Sequence, residues 1–216
     1  MDEKIFHLIN EQWTNPIFDL FMPAISYSDI WTPFFIIAAI AFLIFGGFRG
    51  RAFVFCTTLA LALSNAAVDP LKHAIERPRP KQLQTVRMIE LERTRPKILT
   101  VFTKPIIRLS TEAERARSGA SFPSGHTNNN TVIALCCTIF YRRWGKLYWI
   151  IAAAVAYSRI YLGAHWPSDV FATVFLAAGE TLLILALCEL IWQKIVSRRL
   201  PEIVARHPRL ISSAAS

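Results

Sequence analysis

Cysteine is scarce in this chain and badly spaced for chemistry. The four present, Cys56, Cys136, Cys137 and Cys188, each sit inside an apolar run, and no Cys-x-x-Cys or Cys/His cluster accompanies them. That pattern excludes a zinc ribbon or a thioredoxin-like redox pair and leaves packed core thiols. Acidic residues are also few, 15 against 24 lysines and arginines. No group of carboxylates has metal-ligand spacing, so no metal or other cofactor is called for. A net charge of +9 would suit nucleic acid, but no nucleic-acid motif supports that partner. Basic loops beside anionic membrane lipids account for the charge instead. The opening MDEKIFHLINEQW lacks the basic region and continuous apolar core of a cleaved signal peptide. Internal repeats and low-complexity tracts are missing too.

Apolar sequence is abundant, and it comes in blocks. Hydrophobic residues make up 53% and charged residues 18%, too apolar for an ordinary soluble domain. A hydrocarbon core about 30 Å thick asks for about 20 mostly apolar helical residues. Residues 31–48, 52–71, 127–140, 147–160 and 170–192 approach or meet that length. The expected fold is therefore all-α: a polytopic membrane helical bundle of about five transmembrane helices, forming one domain over residues 1–200. Ile5, Leu8, Ile9 and Trp13 repeat at helical spacing, and Asn15-Pro16 reads as a helix start. Residues 1–28 are thus expected to form interfacial helices lying on the membrane. Residues 201–216 read as a polar tail.

Three polar clusters stand at the ends of the apolar blocks: KHAIERPRP from Lys72, SFPSGHT from Ser121 and SRIYLGAHWPSD from Ser158. Counting crossings places all three on one membrane face. The opposite face collects Arg49, Arg51, Arg142, Arg143, Lys146, Lys194, Arg198 and Arg199, short basic connections of the kind retained in the cytoplasm. The clusters then face outward. Residues 81–120 join the first two clusters and are expected to form a partly ordered extracytoplasmic cap over the site. Within them, β-branched runs are broken by Pro96 and Pro105, and TEAERARS reads as a solvated helical turn.

The residue types in these clusters suit a multiply charged anion. Lys72, Arg79 and Arg159 supply fixed cations, and an arginine fork donates two parallel hydrogen bonds to phosphate. Ser124 and Gly125 open a helix whose free N–H groups can cradle phosphate oxygens. Two histidines divide the labour. His165 and Asp169 lie four apart, so the carboxylate could hold one ring nitrogen and free the other for attack on phosphorus. His126 is the candidate general acid.

Lys-x6-Arg-Pro at Lys72–Pro80, Pro-Ser-Gly-His at Pro123–His126 and Ser-Arg-x5-His-x3-Asp at Ser158–Asp169 resemble the three-part signature of the type 2 phosphatidic acid phosphatase (PAP2) superfamily. The resemblance implies a helical bundle in a bacterial plasma membrane, lipid phosphate as substrate, a phosphohistidine intermediate and metal-independent hydrolysis. It assigns phosphate binding to Lys72, Arg79, Ser124, Gly125 and Arg159, attack to His165, leaving-group protonation to His126 and support of His165 to Asp169. The vanadium haloperoxidases share the pocket but resemble soluble proteins, and a silent lipid binder would not need both histidines. Lipid A 1-phosphate, phosphatidylglycerophosphate and phosphatidic acid stay open as substrates, and the chain resembles small bacterial enzymes acting on undecaprenyl diphosphate through LINEQWTNPIFDLFMPAIS and through RPRP followed by VR. Arg87, Arg93 or Arg95 would meet the second phosphate. Arg77 reads as a loop or lipid contact, the run Asn128–Asn129–Asn130 as interhelical hydrogen bonders of which one could reach the phosphate, and Glu180 as structurally paired.

Overall fold

The structure, a computed structural model, describes residues 1–116 and 119–211. Helix α1 (Asp2–His7) runs through a π turn (Leu8–Gln12) and is followed by α2 (Pro16–Ser26), α3 (Ser28–Phe45), α4 (Gly47–Ile75) and the short α5 (Pro80–Leu83). Strand β1 (Arg87–Leu91), a 3₁₀ turn (Lys97–Phe102), strand β2 (Pro105–Leu109) and α6 (Glu112–Ala116) come next. Helices α7 (Gly125–Gly145), α8 (Tyr148–Tyr161) and α9 (Pro167–Ile191) complete the bundle.

Local chemistry sets the boundaries that matter for the site. Asn15 caps α2 by accepting the Phe18 N–H at 2.9 Å, and Pro16 takes the first helical position, where no donor is needed. Helix α4 stops at Glu76, which turns left-handed at φ 46°. The following Arg77-Pro78-Arg79-Pro80 cannot resume the helix, because each proline lacks an N–H and disfavours helical geometry before it. At α9, Pro167 is again the first residue, and Asp169 reaches back to accept the Trp166 N–H at 3.0 Å. Gly163 makes the turn from α8 to α9 at φ +70°, and a Cβ there would press on Val86 at 3.0 Å.

Among the described residues, three stretches are long and apolar enough to cross a membrane: Ser28–Phe45, Gly47–Leu83 and Pro167–Arg199. Helix α7 packs against α4, α8 and α9. Their shared interior holds Cys56 and Ala60 from α4, Val132, Cys136 and Phe140 from α7, and Ala177, Leu185 and Cys188 from α9. Apolar attraction adds little between helices in lipid, so small residues that allow close packing carry this contact. The cysteines are free and packed here, as their spacing implied. Ser64 of α4 bridges Asn128 Oδ1 at 2.7 Å and Glu180 Oε2 at 2.8 Å, which gives both polar side chains an interhelical partner.

A second core gathers at the polar end of the bundle. Phe6, Ile9, Met22, Val86, Ile89, Tyr161 and Trp166 are buried together, and each such side chain contributes about 1.5–3 kcal/mol. Asn10 is buried among them and fully bonded, donating to the carbonyls of Arg87 at 2.9 Å and Tyr161 at 2.8 Å. The N-terminal helices therefore dock one face on protein, while Trp13, Ile17 and Phe21 stay exposed.

One expectation needs correction. The chain is not all-α: β1 and β2 form an antiparallel ribbon in which Ile89 faces Ile107. Of the β-branched runs around Pro96 and Pro105, only the second forms a strand, and it pairs with Arg87–Leu91 rather than with the first, which makes the 3₁₀ turn; buried Val86 and Ile89 anchor the ribbon. This ribbon lies beside α2, and residues 119–121 reach the site directly. The described part of the tail contains a short helix. Pro201–Arg206 is helical, Trp192 Nε1 donates to the His207 carbonyl at 3.0 Å, and the His207 ring stacks on Phe48 at 4.0 Å. Residues 117, 118 and 212–216 lie outside the described residues.

Candidate active site

Ser121 locks the three polar clusters to one another at one end of the bundle. Its N–H donates to the Arg77 carbonyl at 2.7 Å, and its hydroxyl donates to Asp169 Oδ2 at 2.5 Å. Its own carbonyl accepts from His165 Nδ1 at 2.6 Å. Trp166 adds a bond from Nε1 to the Pro78 carbonyl at 2.9 Å, and the Ser124 N–H donates to Thr173 Oγ1 at 3.0 Å. Ser121, Ser124, Asp169 and Thr173 are all closed to solvent, so these bonds form in a low-dielectric setting that strengthens them.

The tautomer of His165 follows from that geometry. A carbonyl can only accept, so Nδ1 carries the hydrogen and Nε2 keeps its lone pair. Burial, with the Arg159 and Arg79 guanidiniums close by, holds the imidazole well below its usual pKa. His165 is therefore neutral at neutral pH, the state a nitrogen nucleophile requires. Asp169 does not touch it. The carboxylate is spent on Arg77 Nη1 at 2.6 Å, on the Ser121 hydroxyl and on the Trp166 N–H. The direct His165–Asp169 bond expected from the four-residue spacing is replaced by a path through Ser121. The reason is local: Asp169 sits in the first turn of α9 and caps it, which points its oxygens back toward Trp166.

Around His165 lie the parts of an anion cradle. Helix α7 makes its first internal bond from the Asn128 N–H to the Ser124 carbonyl, which leaves the N–H groups of Gly125, His126 and Thr127 without helical acceptors. A Cβ added to Gly125 would meet nothing within 4 Å, so open space adjoins the first residue of the helix. Arg159 donates Nη1 to the Ser26 hydroxyl, while its buried Nε has no partner. Arg79 places Nε on the carbonyls of Gly119 and Ala120, at 2.9 and 3.3 Å. Among the described residues no carboxylate stands within ion-pair distance of either arginine. Both keep charge for a ligand. Lys72 is apart from this group and opens onto an adjoining cavity of about 400 Å³, lined also by His73, Arg77, Gly119 and Ala120. Its amine reaches only Asp69, at 3.5 Å.

This arrangement joins residues that lie almost a hundred positions apart in the chain, and a family match spans them. Residues 53–193 fit the model of the PAP2 superfamily. The chain belongs to that superfamily. A PAP2 relative, a lipid A 4'-phosphatase of Bacteroides thetaiotaomicron, is 28% identical over 162 residues, covering 73% of this chain and 64% of that protein. The chain thus spans under two thirds of that relative's length. YbjG of Escherichia coli, whose name carries a provisional undecaprenyl-diphosphatase assignment, is 44% identical over 50 residues, 23% of this chain and 25% of that one. A transmembrane PAP2 type phosphatidylglycerolphosphate phosphatase from Bacillus subtilis has the same fold, with a TM-score of 0.60, 22% identity, and coverage of 88% of this chain and 85% of that one.

Four residues near this PAP2 centre were not read from the sequence as site residues. Arg77, taken as a loop or lipid contact, instead bridges Asp169 and Asp2, both at 2.6 Å. Asp2 also accepts the Ser168 N–H at 2.9 Å. Ser121 lay inside SFPSGHT with no role attached, and Ser26 reaches Arg159 from the end of α2. A lone Arg and a lone Asp 75 positions apart give no periodic signal. Arg87, read as one contact for a second phosphate, pairs through Nη2 with Asp19 at 2.7 Å, while its Nη1 is buried and has no hydrogen-bond partner.

Proposed function

We propose that this PAP2 protein is a metal-independent lipid phosphatase that works through a phosphohistidine at His165. The observation that carries the reading is the fixed, neutral His165 with its free Nε2 beside two arginines that have no carboxylate partner. Nε2 attacks phosphorus as the bond to the lipid oxygen breaks, and His126 gives that oxygen its proton. Water then attacks the phosphohistidine, passing a proton to His126 and releasing phosphate. Arg79, Arg159, Ser124 and the N–H groups from Gly125 onward take the phosphoryl oxygens. Lys72 holds charge farther out, and Asp169 fixes His165 through Ser121.

We further propose that α7 and α8 cross the membrane with α3, α4 and α9, giving five spans with the site facing outward from a bacterial plasma membrane. The basic connections at the far end support this by the positive-inside rule. A cysteine at Glu112, introduced after the native cysteines are replaced, is expected to react with an impermeant maleimide added outside intact cells. One at Lys146 is expected to stay unlabelled until the cells are opened. Reversed labelling would turn the site toward the cytoplasm.

For substrate we propose undecaprenyl diphosphate. The cavity next to the phosphate cradle has room for a second phosphate, with Lys72 on its wall beside Glu76, and the short match to YbjG supports the same reading. The longer match to a lipid A 4'-phosphatase favours a lipid A phosphate as the second reading. Phosphate release from both lipids and from phosphatidic acid separates them. The expected result is a kcat/KM on undecaprenyl diphosphate at least about tenfold above that on phosphatidic acid, equal to about 1.4 kcal/mol of transition-state preference. Lys72→Ala is expected to narrow that gap. Equal or better hydrolysis of lipid A or phosphatidic acid would remove the assignment.

A further inference from the structure

The far end of the β-ribbon presents an apolar surface that the chemistry does not use. In the 3₁₀ turn Lys97–Phe102, Ile98 is 45%, Leu99 47% and Phe102 81% exposed, and Ile106 at the start of β2 is 51% exposed. Side chains this large are seldom left in water together without a partner. Their position says what that partner is. The turn packs against α2 and α3, and Lys97 pairs with Asp29 at 2.8 Å in the first turn of α3. Helix α3 is one of the stretches long and apolar enough to cross a membrane, so its first turn marks the level of the membrane surface. The exposed turn is held at that level.

Charge gives the same answer. Arg93, Arg95, Lys97 and Lys104 surround the apolar group and are all exposed, with Glu92 the single acid among residues 92–104. Apolar side chains ringed by lysine and arginine at headgroup depth match a bilayer surface carrying anionic lipid. Trp13, Ile17 and Phe21 of the N-terminal helices are exposed as well, and Trp is favoured at such boundaries.

We propose that the 3₁₀ turn and the adjoining strand ends are a membrane-seated foot. Ile98, Leu99 and Phe102 enter the lipid beside α3, while Arg93, Arg95 and Lys104 contact anionic headgroups. The ribbon thus rests on the bilayer from which a lipid substrate comes. The proposal depends on α3 being a span and not on which lipid is cleaved.

Depth measurement tests it without any assay of turnover. A fluorophore sensitive to polarity is placed on a single cysteine at Phe102, or at Glu112 as reference, in nanodiscs holding one copy of the full chain. At position 102 the emission is expected to shift to the blue and to be quenched by lipids with brominated tails, while position 112 shows neither. Quenching is expected to rise when phosphatidylglycerol replaces phosphatidylcholine, and the rise should vanish in an Arg95→Gln, Lys104→Gln variant. A blue shift without bromolipid quenching would mean that protein, such as a second copy, covers the surface, and overturns the proposal. So would emission at 102 as water-like as at 112. In a Leu99→Ser, Phe102→Ser variant, kcat/KM on a bilayer-embedded lipid phosphate is expected to fall about fivefold while a short-chain, water-soluble phosphate is cleaved at the parental rate. An equal fall on both substrates would show that the turn supports the site rather than the membrane contact.

Discussion

Alanine at position 165 is expected to lower lipid-phosphate turnover by about 10⁴-fold, with the protein still folded. The nucleophile disappears while the arginines and the α7 N-terminus continue to bind phosphate, so KM should move far less than kcat. Chelators should leave the parent activity intact, and a large loss in their presence would contradict the metal-free route. With the parent protein, a quench under alkaline conditions should trap phosphate on His165, and His126→Ala with a good leaving group should trap more. The pH behaviour has a definite sign. A base whose folded pKa is depressed stays unprotonated at neutral pH and takes its proton only below the ordinary imidazole value of about 6.5. NMR of labelled, ligand-free protein should therefore show His165 neutral through that pH and protonating beneath it. Titration at or above the ordinary value would mean that burial and the two arginines do not act on the ring as described.

Arg77→Ala should give the second-largest effect, and mainly on stability. Asp169 is fully buried, and among the described residues Arg77 is the one cation that pairs with it, at 2.6 Å. Removing Arg77 strands that carboxylate and frees Asp2 from its tie to the same side chain. The Ser121 hydroxyl and the Trp166 N–H remain on Asp169, and Arg77 is partly open to solvent. The cost is therefore set at about 2–4 kcal/mol, below that of a wholly enclosed pair. Unfolding in detergent would measure it. Turnover is expected to fall about tenfold in kcat with little change in KM, because the altered residue orients His165 through Asp169 and Ser121 rather than holding phosphate. Arg77→Lys should recover part of the stability, since one charge can return but not the two-armed bridge. An alanine variant as stable and active as the parent would remove Arg77 from this network.

The contrast between Arg79 and Arg77 explains what could be read from the sequence. Arg79, His126, Arg159 and His165 are held by requirements local to a helix end or a short motif, so order and spacing sufficed to group them. The apolar blocks likewise announced the long helices, because lipid demands length and composition that few other settings do. Arg77, Asp2 and Ser26 depend on how distant segments dock, and nothing in their neighbours records it. The β-ribbon was half visible: β-branched runs marked residues 95–110, of which Pro105–Leu109 is strand, but its partner Arg87–Leu91 carries only one β-branched residue and gave no such signal. Asp169 shows the sharpest limit. Four-residue spacing correctly put it near His165, yet the demand of the α9 start for a cap turned its oxygens elsewhere.

The docking of the N-terminal helices has a consequence for the order of assembly during synthesis. Asp2 bonds to Ser168, Asn10 to the Tyr161 carbonyl and Asp19 Oδ1 to the Tyr161 hydroxyl. The first of these contacts bridges 166 positions. The ribosome makes α1 and α2 early, but their partners emerge only after three more long helices. Throughout that interval Phe6 and Met22 have no Trp166 or Tyr161 to pack on. The bilayer surface is the nearest refuge for them. Loop closure over so many residues makes this docking a late event, so the catalytic centre becomes whole only when the last membrane helix has begun to enter.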